Sequence, residues 1–168
     1  MNEKTENVSS LVVLERDAGF PKWIAEYQRA ATSSLVVAHA PGESGLSLSQ
    51  RALRRIGESP SELRTAIIAC SSSLDEAELR ARESLCRELL LALGEQGELV
   101  LALNADASED SKHAIFELAG ALCETLGGTS RVVRVRFSHG RPESGIMPSV
   151  AVGSGTDSER FRAAALEA

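Results

Sequence analysis

Aromatic residues are scarce in this sequence: Phe, Trp and Tyr together make up 4% of its 168 residues. Proteins that bind unpaired bases use aromatic side chains as stacking platforms, so this composition argues against a single-strand nucleic-acid module. The formal net charge is -6, and Lys and Arg are scattered, which leaves no basic patch for nucleic acid or an anionic membrane. We therefore expect no nucleic acid and no membrane among the partners.

Cysteine is also rare, and its spacing excludes the usual structural uses. Cys70, Cys86 and Cys123 are odd in number, lie far apart and form no C-x-x-C pair. This argues against a disulfide framework and against a structural zinc site. No apolar run approaches the length of a membrane span, and the polar first residues lack the apolar core of a signal peptide. These features predict a cytoplasmic protein.

The phosphate-binding and catalytic motifs of parallel α/β proteins are missing. The Gly-rich segments lack the lysine of G-x-x-x-x-G-K-[ST], and no G-x-G-x-x-G follows the first predicted strand. The nucleophile elbow G-x-S-x-G does not occur either. The sequence therefore leaves the cofactor unknown.

What the sequence does contain is an alternation of short apolar, mostly β-branched runs with segments of helical spacing. The predicted strands and the helices between them are, in chain order, strand 11–14, helix 21–31, strand 35–38, helix 48–56, strand 65–70, helix 74–93, strand 99–103, helix 115–126 and strand 131–137. Such strands pair in parallel through right-handed crossovers. The expected fold is a three-layer α/β/α sandwich with a mostly parallel sheet of about five strands, flavodoxin-like or Rossmann-like, and the expected strand order is 2-1-3-4-5.

The same pattern predicts the domain organisation. A flexible tail over 1–8 precedes a single α/β domain over 9–139, and a Gly/Pro/Ser-rich extension over 140–168 follows, with a helix predicted at its end. In the strand 131–137, valines and arginines alternate, which is typical of an edge strand with one wet face.

Two local signals predict where the helix 74–93 begins and ends. Ser73 followed three residues later by Glu76 is a capping-box pattern, so Ser73 is the expected N-cap. Gly94 is the expected C-terminal stop.

Polar residues follow most of the predicted strands. Ligands bind beyond the carboxyl ends of the strands in open parallel sheets. That rule selects a set of candidate ligand-binding residues: Asp17, Ser71, Ser73, Asn104, Asp106 and Ser108. Free amides of the helices that begin there suit a phosphate or a carboxylate, so the expected ligand is a small molecule or a nucleotide. The alternative for Ser73 and Ser108 is that they only cap helices.

A short sequence pattern, H-x-x-x-E-S-G, occurs at 39–45 and again at 139–145, each time after a predicted strand. If the two loops met, His39, Glu43, His139 and Glu143 would offer a metal two imidazoles and two carboxylates. The alternative is a chance repeat of common loop residues.

Cys70 is a candidate nucleophile because it lies at the end of a strand, before three serines and a helix. A helix N-terminus lowers the pKa of a nearby thiol. His39 or His139 would have to act as the base. The alternative is a buried thiol that serves only in packing.

The predicted architecture is similar to that of receiver domains and of universal stress proteins. Receiver domains need an Asp at the end of the third strand and a Lys after the fifth, where this sequence has Cys70 and Ser138. Many universal stress proteins carry a Gly-rich ATP loop before their last strands, where this sequence has only Gly127 and Gly128. The resemblance therefore implies the fold and neither phosphoacceptor chemistry nor nucleotide binding.

Since every standard catalytic motif is missing, the sequence favours a non-catalytic regulatory or small-ligand-sensing module. One alternative is a small enzyme that uses a Cys70 nucleophile or a metal held by His39 and His139. Another is a homo-oligomeric assembly module, in which the leucine-rich helix 74–93 or a sheet edge pairs with a second copy to form a homodimer.

Overall fold

The computed structural model describes residues 8–18, 34–58, 62–104, 106–125, 131–138 and 149–152. Within these residues the elements are, in chain order, β1 (Ser10–Leu14), β2 (Ser34–Ala38), α1 (Gly45–Gly57), β3 (Leu63–Ala69), α2 (Glu76–Ala92), β4 (Leu93–Asn104), α3 (Glu109–Thr125), β5 (Val132–Ser138) and β6 (Ser149–Val152). The helix predicted over 21–31 and the glycines 127–128 lie outside the described residues.

The strands form one sheet in the order β2-β1-β3-β4-β5-β6. The first five strands are parallel and have the order 2-1-3-4-5, so that prediction is confirmed. β2 pairs with one edge of β1, and the next strand along the chain, β3, pairs with the opposite edge of β1. The topological switch point, where such folds bind ligands, therefore falls between β1 and β3.

Both faces of the central strands are buried, which is why their sequences are continuous apolar runs. Leu11, Ile68 and Leu101 belong to a core shared with α1, α2 and α3. The alternate residues Val12 and Ile67, on the opposite face, form a second buried cluster. Each fully buried Leu or Ile contributes roughly 1.5–3 kcal/mol to folding. The fold class is α/β with a parallel sheet, consistent with the predicted three-layer arrangement.

The leucine-rich helix α2 contacts α1, α3 and β4. Leu85, Leu89 and Leu90 are buried in the shared core. Leu91 points to solvent and is 75% exposed.

The edge position predicted for the strand 131–137 is wrong. β5 pairs in parallel with β4 on one side and antiparallel with β6 on the other. The predicted alternation itself is confirmed, since Val133 and Val135 are fully buried while Arg134 and Arg136 are partly exposed. Arg134 Nε forms an ion pair at 2.5 Å with Glu98 Oε1 of β4, so the Arg134 charge is balanced by a residue of the neighbouring strand.

The predicted boundaries of the helix 74–93 are also corrected. The N-cap of α2 is Asp75, whose carboxylate accepts hydrogen bonds from the amides of residues 77 and 78. The helix ends at Ala92, and β4 begins at the next residue. Gly94 lies inside an irregular start of β4, where the pairing with β3 shifts register. Gly97 is required there because a Cβ would lie 2.7 Å from the Cβ of Leu93.

Candidate functional site

The switch point between β1 and β3 is held by a buried ion pair. Glu15 follows β1, and Arg82 lies on α2 with a side chain that is 3% exposed. The Arg82 guanidinium donates from Nη2 to Glu15 Oε1 at 2.5 Å and from Nε to Oε2 at 3.0 Å. The Ser71 amide, just beyond β3, donates to the same Oε1 at 2.8 Å. One carboxylate thus joins β1, β3 and α2.

Arg82 has a second anchor that does not depend on Glu15. Its Nη2 also donates to the carbonyl oxygen of Ser71 at 3.0 Å. Burial by itself would lower the pKa of Arg82, but the neighbouring Cys70 and Glu15 raise it above its ordinary value. A guanidinium in such surroundings stays charged and must be paired, because an isolated buried charge is strongly destabilising.

A small cavity of about 20 Å³ adjoins this ion pair. Its polar lining includes Glu15, Arg82, Ser71, Ser49 and His39. This volume has room for about one water molecule, whereas pockets for small organic ligands usually measure about 300–1,000 Å³. Among the described residues at the switch point, this cavity therefore has no room for a nucleotide.

The loop after β2 is organised around Glu43. Arg51 of α1 binds its carboxylate through Nη2 at 2.8 Å and Nε at 3.2 Å. The Ala40 amide and the Ser47 hydroxyl donate to the same carboxylate at 3.1 and 3.2 Å. The hydrogen bonds from Arg51 are the largest cause that lowers the pKa of Glu43, from 4.5 to about 2.

The imidazole of His39 is fixed by this loop as well. Its Nε2 lies 2.5 Å from the carbonyl oxygen of Glu43. Because a carbonyl oxygen only accepts, Nε2 carries the hydrogen and donates. The predicted metal ligands His39 and Glu43 therefore lie in one loop, with the carboxylate occupied by protein donors. The other two, His139 and Glu143, lie outside the described residues.

The described ranges contain no group of three or more His, Cys, Asp or Glu side chains placed to hold a metal ion. A metal set built from both loops would need the described His39 together with residues 139–143.

Cys70 is buried at the carboxyl end of β3, as its sequence position predicts. Its Sγ lies 3.5 Å from the carbonyl oxygen of Ile68, and its amide donates to Ala102 at 2.7 Å. Burial raises the pKa of the Cys70 thiol to about 12, although the charge of Arg82 acts in the opposite direction. The thiolate, which is the nucleophilic form, is therefore a very small fraction at neutral pH.

The hydroxyl groups of Ser71 and Ser73, after β3, accept hydrogen bonds from backbone amides two residues further along the chain. Ser71 Oγ accepts from the Ser73 amide at 3.1 Å, and Ser73 Oγ accepts from the Asp75 amide at 3.2 Å. This is the local hydrogen bonding that lets short polar side chains turn the chain into a helix. Ser73 thus lies two residues before the N-cap and prepares it.

The residues predicted after β4 have similar roles. Asn104 Oδ1 accepts from the Asp106 amide at 3.0 Å. Ser108 Oγ accepts from the Ser111 amide at 3.2 Å, so Ser108 caps the helix α3, as the alternative interpretation of Ser108 predicts.

Asp17, after β1, is exposed and has a φ of 57°, a left-handed conformation that Asp tolerates better than most residues.

Sequence reasoning missed Glu15 and Arg82. Glu15 directly follows the predicted strand 11–14 and Arg82 lies within the predicted helix 74–93, but neither is among the predicted site residues. A signal was present, because Arg82 is three residues before Leu85 and four before Cys86, on the stripe of α2 that faces the core. A charged residue on such a stripe indicates a buried partner.

The fold and the site together define a parallel α/β domain of flavodoxin-like strand order with a buried Glu-Arg pair at its switch point. Comparison with protein-family models, curated proteins and solved structures found no significant match. Among the helices in the described part of the chain, none is long and apolar enough to cross a membrane.

Proposed function

We propose that this protein is a non-catalytic regulatory or small-ligand-sensing module. The observation that carries the proposal is the occupied switch point: where related architectures bind their ligands, the Glu15 carboxylate fills the space between Ser71 and Arg82. The cavity of about 20 Å³ that the described residues form beside it is too small for a nucleotide. A site of this kind can report a small ligand by a change in its own packing.

The state of Cys70 supports the same proposal. A cysteine nucleophile needs an accessible thiolate, whereas this thiol is 3% exposed and has a pKa raised to about 12 by burial. The Glu43 carboxylate, already bound by Arg51, Ala40 and Ser47, is poorly suited to bind a metal or move a proton.

Turnover assays test this proposal. The wild-type protein is assayed with hydrolysable esters, nucleotides and phosphoesters beside the Cys70→Ser and His39→Ala variants. We expect no rate above that of buffer for any of the three proteins. Turnover by the wild type that is lost in either variant would contradict the proposal, and native mass spectrometry would then show whether a metal or a nucleotide is retained.

Self-association is a second candidate, favoured by one observation. β2 is the last strand on its side of the sheet in the described part of the chain, and its sequence, Ser-Leu-Val-Val-Ala, has no charge and no proline. Val36 on this strand is 38% exposed. Edge strands without charge or proline are free to pair with a second copy.

Sedimentation at several concentrations tests the homodimer. If β2 pairs with β2 of a second copy, Val36→Lys should shift the protein to the monomer, whereas Leu91→Lys on the exposed side of α2 should not. A wild type that is monomeric at every concentration removes this candidate.

We also infer a cytoplasmic location. Cys70, Cys86 and Cys123 are free and buried, which fits a reducing compartment. Recovery of the protein outside the cytoplasmic fraction of its cells would contradict this inference.

A further inference from the structure

The Glu15 carboxylate occupies a cradle, which we define as the Arg82 guanidinium together with the Ser71 amide. The two oxygens of the Glu15 carboxylate accept four hydrogen bonds at 2.5 to 3.1 Å, three of them from the guanidinium, whose Nε–H is shared between both oxygens, and one from the amide. A planar guanidinium that binds both oxygens of a carboxylate is a donor set that proteins use widely for ligand carboxylates. The cradle is thus built for a carboxylate whatever molecule carries it.

The cradle is also preorganised without Glu15. Arg82 is 3% exposed and is held by the Ser71 carbonyl oxygen at 3.0 Å, so the guanidinium keeps its place if the carboxylate leaves. Glu15, in contrast, is 15% exposed and stands one residue before an exposed turn at Arg16 and Asp17. The two side chains therefore differ in their surroundings. The Arg82 guanidinium is buried and held by the backbone, whereas the Glu15 carboxylate borders on solvent.

We propose that the cradle is a binding site for a small carboxylate ligand, and that Glu15 closes it as an internal competitor. This inference rests on the ligand-sensing part of the proposed function. When the ligand binds, its carboxylate replaces that of Glu15, so the buried charge stays balanced while Glu15 moves into water. The Glu15 contact between β1 and α2 is then broken, which is the change that the module would report.

The size of the ligand follows from the geometry. A Glu15 side chain that leaves the cradle frees the space of Cγ, Cδ and the two carboxylate oxygens, four heavy atoms in all, the same number as acetate. The adjoining cavity adds about 20 Å³, which suits one further methylene or hydroxyl group. Acetate is therefore the simplest probe.

The first arm of the test uses Glu15→Ala, which empties the cradle. We expect acetate to bind this variant and raise its unfolding temperature, while chloride at the same ionic strength does not. Glu43→Ala is the matched control, because it also deletes the carboxylate of a Glu-Arg pair. The arginine of that pair, Arg51, is 35% exposed, whereas Arg82 is buried. Inorganic phosphate serves as a tetrahedral comparison.

The second arm uses the wild type, in which acetate must compete with Glu15. If the open form makes up about 1% of the molecules, the apparent affinity falls about 100-fold relative to Glu15→Ala. The readout is an acetate-dependent NMR shift of the Ser71 amide and the Arg82 Nε–H. This arm also decides the question if Glu15→Ala does not fold.

Each outcome has a meaning. Shifts of both wild-type signals, with tighter acetate binding in Glu15→Ala, support the proposal. Acetate binding in Glu15→Ala but unchanged wild-type signals would show that Glu15 is a permanent part of the structure, and the proposal would be wrong. Absence of binding in both proteins, or a response to phosphate and not to acetate, would overturn it as well. Catalytic turnover would overturn the proposed function and leave these binding results unaffected.

Discussion

Removal of one partner from the Glu15–Arg82 pair should cost more than removal of both. Arg82→Met keeps most of the buried aliphatic volume but leaves the Glu15 carboxylate, 15% exposed, with the Ser71 amide as its partner. Breaking a buried pair in this way costs about 3–5 kcal/mol of unfolding free energy, and we expect about 3 because Glu15 reaches solvent. For a chain of this length that is a fall in Tm of about 6–12 °C.

The assay is a double-mutant cycle measured by urea unfolding. Glu15→Leu alone should cost about 3–5 kcal/mol, since it strands a buried guanidinium. Glu15→Leu with Arg82→Met should cost about 1–2 kcal/mol, because only the Ser71 amide and carbonyl lose partners. The double variant should therefore be at least about 4 kcal/mol more stable than the sum of the single effects predicts. Single effects that simply add would refute the reasoning.

Three further predictions concern caps, core and pH. Asp75→Ala should lower the free energy of unfolding by about 1 kcal/mol, because Asp75 is the N-cap of α2. Ser73→Ala should lower it by less, and equal losses of stability in thermal unfolding would contradict this. Leu89→Ala at a buried position should lower the free energy of unfolding by about 2–5 kcal/mol, and Leu91→Ala at an exposed position should lower it by less than about 0.5 kcal/mol. The reverse order would show that α2 is turned the other way. The pKa of Glu43 is lowered from 4.5 to about 2 in the folded protein, so its contribution is present above pH 4.5 and lost as the pH falls towards 2. The stability difference between wild type and Glu43→Gln should shrink over that interval, and a constant difference would mean that the Arg51 pair does not lower the pKa.

The parallel fold was predictable because its signals are local. Residues 66–70 are buried on both faces of the sheet, so all of them are apolar, and each described helix between strands carries its own periodicity. β6 was missed because a short strand gains most of its stability from pairing, here with β5 residues 13 or more positions away in sequence, rather than from its own pattern.

The site was harder to predict for a related reason. Asp17, Asn104 and Ser108 were found at strand ends, but strand ends also need polar residues for turns and caps, and the structure uses Asn104 and Ser108 in that way. Glu15 and Arg82 are 67 residues apart, and no spacing rule connects them. Only the packing of α2 against β1 and β3 places them together.

The strand order has a consequence for the timing of synthesis. β1 lies inside the sheet, and its Glu15 contacts a residue made 67 positions later. At about 5–20 residues per second, a ribosome needs roughly 3–13 s to cover that distance. Until β3 and then α2 have been made, Leu11, Val12 and Val13 lack the elements that pack against them, so this short segment is where we expect a chaperone to bind the nascent chain.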